Sequence, residues 1–489
     1  MVHGCYRENS SWNRTESKIP AGVAAGHPAT VEVGLRVLEA GGSAADAGVA
    51  AMLASCVAES VMTGLAGGGF ATYYDAETAT TTCLDFFCAV PGLGSTRAAA
   101  PMDPIAVSFG GVPQRYEIGP SSVAVPGVPA GCGVLHRRWG RLPWQRVVAP
   151  AISLAHSGTL LPQAHATTLA TLGPAMLPGF GACVYAPRGR LLTGGDLLYH
   201  PGLDAALSIL SEEGPASFYT GGIARRTVET VYGGGGNLTY ADLSAYRVLV
   251  APVLSASLGG AGSAAFGGGF VAHARGDLNG FIATLASLPD VADLSRPLRA
   301  VAMAEALRSY GTQRLGDTTN ISIVDPDGNA CVITLTLGLG SGVWLEDLGI
   351  HLNSMLGEGE LIRPGTEPGD RMASCMCPTV VTEEDGPLVL AVGSAGATRI
   401  RTALLHTLVN VLVDGDDPET AIRRPRFHVV GDLVHAERDY PEDELEALSA
   451  AGYKIQRWDT FDHYFGGVSA VGLVGAAGDP RRGGIGRTL

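Results

Sequence analysis

Apolar positions along the chain fall into blocks of two different periods. Residues 29–39 and 44–60 carry apolar side chains at helical spacing, and Gly41-Gly42 breaks the pattern between them. The first twenty residues are polar and predict a mobile arm. Gly67-Gly68-Gly69 leads into residues 70–74 and 81–87, whose aromatic and β-branched content predicts a pair of strands. Residues 128–245 alternate helical spacing with turns. Within them, Arg141-Leu-Pro-Trp144 ahead of 147–156 predicts a helix with a proline near its start. Residues 253–272, rich in Gly, Ala and Ser, read as strands with loose turns. From Asp317 onward β-branched residues dominate and strands return. No repeat at a period of 20–50 residues is present. Helices and strands in such blocks predict an α/β chain built as sheets layered between helices.

Composition narrows the function classes. The 489 residues are 46% hydrophobic and 16% charged, which describes a buried core. A net charge of −14 opposes a nucleic-acid partner, because phosphate binding needs a basic patch. Lysine occurs only at 18 and 454, so a Schiff-base mechanism has few candidates. Nine cysteines, an odd number with several in apolar runs, read as buried free thiols of a reducing compartment. Neither Cys375-Met-Cys377 nor the scattered His351 and His428 has zinc-site spacing, so no metal is expected. The N-terminus lacks an apolar signal core, and no run of about 18 apolar residues predicts a membrane span. The expectation is a cytoplasmic protein. Gly233–Gly236 and Gly67–Gly69 lack the strand-to-helix context of nucleotide sites, and no cofactor is expected.

The chemistry concentrates in residues 317–336. Asp325-Pro-Asp-Gly-Asn329 is a strong turn between two β-prone runs. A hairpin symmetric about Asp327 pairs residues whose numbers sum to 654. Thr318 then faces Thr336, Asn320 faces Thr334 and Ser322 faces Val332. Side chains alternate, so these even-numbered residues share one side, while Ile321, Ile323, Cys331, Ile333 and Leu335 form an apolar reverse. By itself such a ladder fits a half-buried strand pair. Its surroundings change the picture.

His27-Pro28, Gly41-Gly42-Ser-Ala-Ala-Asp46, Thr63-Gly-Leu-Ala-Gly-Gly-Gly-Phe70 and Ser122-Val-Ala-Val-Pro-Gly127 precede the hairpin. Thr318-Thr319, Gly340-Ser-Gly342, Pro378-Thr379, Gly393-Ser-Ala-Gly396, Arg424-Pro-Arg-Phe-His428 and Gly478-Asp-Pro480 follow in order. In order and spacing the chain resembles the γ-glutamyltransferase family over nearly its whole length. The resemblance implies the four-layer αββα sandwich of the N-terminal nucleophile hydrolases. It also implies self-cleavage between Asp317 and Thr318 into fragments 1–317 and 318–489 that stay together as a heterodimer, residues 21–317 and 318–489 being the two parts of one domain. Thr318 would become the nucleophile, its own α-amino group, near pKa 8 when unperturbed, serving as base. Thr336 would hydrogen-bond the nucleophile, and the N–H groups of Gly396 and Ala397 would form the oxyanion hole.

The chain departs from the family pattern around the substrate. The arginine that binds the glutamyl α-carboxylate follows a Leu-Asp pair in the family, and here Leu84-Asp85-Phe86-Phe87 offers Phe87. Leu337 or Gly338 replaces an asparagine, and Asn353-Ser-Met-Leu-Gly-Glu358 replaces an acidic segment. Ser374 survives from a serine pair while Cys375 replaces the other. Phe87, Asn320, Leu337, Asn353, Ser374 and Cys375 are therefore the expected substrate-binding positions. An ionised amino-acid head needs partners that these substitutions remove. Four readings stay open: an amidase or acyltransferase on a small non-glutathione substrate, a carbon–carbon bond hydrolase of alkylproline, lincomycin-type secondary metabolism, a γ-glutamyl enzyme with a relocated arginine (Arg363, Arg371 or Arg399), and a binding relic.

Overall fold

The computed structural model describes residues 18–109, 112–258, 269–278, 280–308 and 316–489, so most of the expected N-terminal arm lies outside the described residues. Two antiparallel sheets form the centre. The first runs Ile485–Thr488, Gly22–Ala25, Thr319–Val324, Ala330–Thr336, Gly68–Asp75, Thr80–Phe86 and Leu249–Ala251. The second runs Gly475–Gly478, Gly467–Gly472, Leu388–Ala395, Thr379–Glu383, Phe270–Arg275 and Val253–Leu258. Strands Thr319–Val324 and Ala330–Thr336 pack against Leu388–Ala395 of the other sheet. Helices Pro28–Glu39 and Ala44–Ala58 cover the outer face of the first sheet, and Arg399–Leu412 covers the second. This is the αββα sandwich.

Helix Ala44–Ala58 shows why the layers hold. Every one of its residues is buried, so it has no polar face and reads as a core helix covered on all sides. Ser43 caps it in a reciprocal box with Asp46. The helix predicted at 147–156 spans Trp144–Ser157 with Pro143 at its cap position, and a second proline, Pro150, sits inside it. The Gly-Ala-Ser-rich segment supplies strands Val253–Leu258 and Phe270–Arg275, and its middle lies outside the described residues.

The hairpin register is the expected one: Asn320 pairs Thr334, Ile321 pairs Ile333 and Ser322 pairs Val332. The odd-numbered face packs under helix Ala44–Ala58. The even-numbered face meets the second sheet, where Ser322 Oγ donates to the Ser469 carbonyl and Ser469 Oγ donates to that of Asn320, at 2.8 and 3.0 Å. Asp325 fixes the turn. Its fully buried carboxylate accepts from the N–H groups of Asp327 and Asn329, both at 3.0 Å, and from Ala44 N–H at 2.9 Å. One side chain thus ties the hairpin to the N-terminus of the central helix, where the helix dipole favours an anion.

Asp325→Ala strands several buried donors at once. It should destabilise the protein by roughly 3 kcal/mol or more, since each unsatisfied buried group costs about 1–3 kcal/mol. Denaturant unfolding measures this, and a loss under about 1 kcal/mol would mean that the turn does not depend on this carboxylate.

Candidate active site

Thr318 immediately precedes the strand Thr319–Val324, at the open end of the hairpin where the two sheets meet. Asp317, Thr318 and Thr336 are all buried. Thr336 Oγ1 donates to the carbonyl oxygen of Asp317 at 2.6 Å and accepts from Gly338 N–H at 2.9 Å. In this continuous chain Thr336 holds the carbonyl preceding Thr318; the expected bond to the nucleophile belongs to the cleaved form. The reason is connectivity, because the Asp317–Thr318 peptide is intact and its oxygen occupies the position facing Thr336. A donor on that oxygen polarises the carbonyl toward attack by the neighbouring hydroxyl.

The surroundings of the peptide are built from distant elements. Asp317 Oδ1 accepts from Thr318 N–H at 3.0 Å and is paired with the buried guanidinium of Arg482. Across the cavity, strand Leu388–Ala395 ends in a turn where Gly396 has φ +118° and Ala397 φ +51°. Ala397, outside the usual region for an L-residue, is held there by the turn into helix Arg399–Leu412, whose Arg399 N–H donates to the Gly396 carbonyl at 3.0 Å. The N–H groups of Gly396 and Ala397 have no acceptor among the described residues. Of the two, Ala397 lines the cavity that holds Thr318, and Gly396 is the residue before it in the same turn.

The cavity at Thr318 is small, about 20 Å³, room for roughly one water molecule. Thr318, Thr336, Ala397, Phe87, Ser374 and Cys375 line it together, with Asp317 and Gly316 of the preceding chain. Met355, Leu361, Met376 and Ile400 add apolar walls and Glu358 a carboxylate. Phe87 stacks on Phe70 with centroids 5.2 Å apart, and the Arg275 guanidinium lies 3.7 Å over the far ring. Burial lowers the Arg275 pKa.

Three expected substrate contacts are not brought to this cavity. Asn320 belongs to the hairpin, where its amide is satisfied by the Ile333 carbonyl, Thr334, Ile321 N–H and Ser322. Gly393 gives it room, since a Cβ there would sit 2.0 Å from the Asn320 amide. Leu337 is fully buried in the core beneath the first sheet, because the chain turns at Gly338 with φ +70°. Asn353 is a clamp: it donates to the Ala66 and Ala124 carbonyls and accepts from the Ala124 and Met355 N–H groups. None of the three arginines considered for relocation reaches the cavity either. Arg363 is exposed, Arg371 pairs with Asp85 at 3.3 Å, and Arg399 donates to the Tyr464 carbonyl.

Two residues without a sequence signal matter here. Arg482 is one. Glu59 is the other, a fully buried acid at the end of the central helix that accepts from Thr30 Oγ1 at 2.6 Å and from Thr319 Oγ1. Burial raises its pKa to about 7, against the downward pull of those two hydroxyls. In the sequence it is marked only as an acid at the end of an apolar helix whose one charged residue, Asp46, belongs to its cap.

Fold and site together define an N-terminal nucleophile enzyme. The gamma-glutamyltranspeptidase family model matches residues 30–267 and 287–488, and the chain belongs to that family. Among its relatives, the glutathione hydrolase proenzyme of Escherichia coli (strain K12) is 28% identical over 87% of this chain and 84% of its own length. The acylase ACY 1 proenzyme of Pseudomonas sp. (strain V22) is 27% identical over 93% of this chain and 91% of its own. The solved cephalosporin acylase of Bacillus halodurans superposes with a TM-score of 0.75 at 21% identity, covering 100% of this chain and 97% of that one. A structure named LmbA2991HD superposes at 0.76 and 20% identity, over 97% and 100%. No helix among the described residues is long and apolar enough to cross a membrane.

Glu59 makes stability depend on pH in a defined direction. Its folded pKa of about 7 lies above its ordinary value of 4.5, so its stabilising contribution is complete below 4.5 and is lost as pH rises through 7. Glu59→Gln removes the ionisation. Between pH 5 and 8 the variant should therefore gain stability relative to wild type, as followed by thermal unfolding. Parallel curves for the two proteins would place the ionisation elsewhere.

Proposed function

We propose that the chain cuts itself between Asp317 and Thr318. It then acts as an amidase or acyltransferase through a Thr318 acyl-enzyme, on an acyl substrate other than the γ-glutamyl group of glutathione. The observation that carries this is the convergence on one carbonyl: Thr336 donates to the Asp317 oxygen, Thr318 follows it in the chain, and Ala397, whose turn carries two free N–H groups, lines the same cavity. In the first step Thr318 Oγ attacks the Asp317 carbonyl, the C–N bond breaks, and the hydroxyl proton passes to the new amine. Water then hydrolyses the ester, leaving a carboxylate on Asp317 and a free Thr318 amine. That amine serves as base when Thr318 Oγ attacks the next acyl group. Departure of Gly316 and Asp317 from the cavity lining makes room for that substrate.

The substrate class follows from the walls. Phe87 stands where the family carries its carboxylate-binding arginine, and it is locked in a ring stack. A second reading is favoured by the apolar lining of Phe87, Met355, Leu361, Met376 and Ile400. It makes the chain a carbon–carbon bond hydrolase of a secondary-metabolite pathway, using the same nucleophile.

The purified protein should consist of two fragments, the smaller beginning at Thr318, whereas Thr318→Ala should remain one inactive chain. Thr336→Val keeps shape and strand propensity and removes the donor on the Asp317 carbonyl. It should slow processing and reduce turnover by roughly 10- to 1000-fold, the scale of one positioned donor. Mass spectrometry and N-terminal sequencing read both, and an uncut, active wild-type chain sinks the proposal.

γ-Glutamyl-p-nitroanilide should be a negligible substrate although a small electrophile labels Thr318. Phe87→Arg should recover little of this activity. The new guanidinium would be buried near Arg275 and without a paired acid, and one contact does not rebuild a two-point site. Hydrolysis of the glutamyl anilide comparable to the best substrate found would mean that another cation clamps the glutamyl carboxylate.

A further inference from the structure

Cutting the chain changes the charge balance at one buried place. In the uncut chain Arg482 is paired with Asp317, and the two side chains are 6% and 0% exposed. Arg482 Nη2 lies beside the oxyanion turn, 3.3 Å from where a Cβ on Gly396 would sit. The arm reaches this point through a notch at Gly467, where a Cβ would stand 2.2 Å from Arg482 Cδ. Its remaining contacts are the His463 carbonyl, at 3.4 Å, and the Met62 sulfur, at 3.9 Å, and its Nε has no partner among the described residues. The position is therefore built to bring a guanidinium to the reacting carbonyl.

We infer that Arg482 is the carboxylate-binding cation of the processed enzyme, and that the acyl group it selects is a four-carbon one with a terminal carboxylate, of the succinyl kind.

The uncut chain displays such a group. Asp317 is an acyl residue whose carbonyl faces Thr336 and whose side-chain carboxylate, two carbons away, sits on Arg482. When Thr318 Oγ takes over that carbonyl, the ester formed is an acyl-enzyme with its carboxylate already on Arg482. Hydrolysis makes Asp317 a chain end that can leave. The guanidinium it vacates has no other acid paired with it among the described residues.

The other charged groups nearby do not replace Asp317. Arg399, on the helix after the oxyanion turn, is also cationic, and its pKa is lowered to about 10 by burial, with the Arg482 charge contributing. Burial and then the Arg482 charge lower the His463 pKa, and its Nδ1 lies 3.2 Å from Asp462 Oδ1. Glu358 faces the Gly316 side of the cavity, on the amino side of Asp317. A buried cation beside a second cation demands an incoming anion. The geometry of Asp317 sets how far that anion lies from the reacting carbon. Loss of the arginine at position 87 thus moves the carboxylate site and shortens the acyl chain it accepts.

This inference rests on the Thr318 acyl-enzyme proposed above, and the experiment separates the two. Processed wild-type enzyme is assayed on succinyl-p-nitroanilide and on butyryl-p-nitroanilide, which has the same acyl length and no charge. The value of kcat/KM should be at least about tenfold higher for the succinyl compound, as one charge-assisted contact provides. Arg482→Gln should abolish that ratio by raising KM for the succinyl compound, and Arg482→Lys should keep part of it. If the glutamine variant does not cut itself, a wild-type measurement decides: free succinate should slow labelling of Thr318 by a small uncharged electrophile. A ratio near one, or labelling indifferent to succinate, overturns the assignment of Arg482 while leaving the nucleophile standing. Failure of Thr318 to take the electrophile in processed enzyme overturns both.

Discussion

The register of one hairpin determines everything at the site. Strand side chains have a period of two, so a slip by a single residue would carry Asn320, Ser322, Thr334 and Thr336 to the helix side and Ile321, Ile333 and Leu335 to the sheet interface. Two forces forbid the slip. One is burial of the apolar face beneath a helix that is itself buried on all sides. The other is Asp325, whose carboxylate can satisfy the turn and the N-terminus of that helix only in one register. The site is thus fixed at the closed end of the hairpin and operates at the open end.

The interior between two sheets is an unusual place for a polar ladder, and the ladder is fully satisfied. Ser322, Ser469, Asn320 and Thr334 exchange hydrogen bonds across and along the sheets, so burying them leaves no donor stranded. Beside Thr318, in contrast to the ladder, the second oxygen of Asp317 and the N–H groups of Gly396 and Ala397 have no partner among the described residues. Unpaired groups are costly in a dry interior, and under the proposed mechanism those beside the Asp317–Thr318 peptide lie where charge would develop. The strained Ala397 belongs to the same turn. Strain, unsatisfied donors and a polarised carbonyl meet at one point, which separates this site from an ordinary hydroxyl ladder.

Much of this was legible in the residues, and the failures have physical reasons. The hairpin was readable because a strong turn and strict alternation leave only one register. Helices 28–39 and 44–58 were readable from helical spacing. Leu337 and Asn353 stand where the resemblance places substrate-binding residues, and the local backbone sends both elsewhere. The left-handed turn at Gly338 sends the Leu337 side chain back to the core, and Asn353 spends all its capacity on backbone groups. Arg482 carries no sequence signal, since its direction is decided by a notch at Gly467 and by an acid far earlier in the chain. Periodicity reports which face a residue occupies. It says nothing of which distant side chain fills the gap beside it.

If the proposed cleavage and the Arg482 assignment hold, Asp317 joins processing to specificity in this chain. Before cutting, the cavity is filled by the protein's own backbone, and the buried cation has its counter-charge, so the precursor carries no unpaired buried guanidinium. After cutting, the same cavity is defined by what left it. The residue before the nucleophile is then a template as well as the first acyl group transferred, since its carbonyl position, its carboxylate and their separation are those of the group that the Arg482 assignment predicts. Replacing the family arginine by Phe87 is tolerable in such a design. The aromatic stack closes one wall against water, and the anion is met from the opposite element, by a guanidinium that stays neutralised until the reaction that creates the active site releases it.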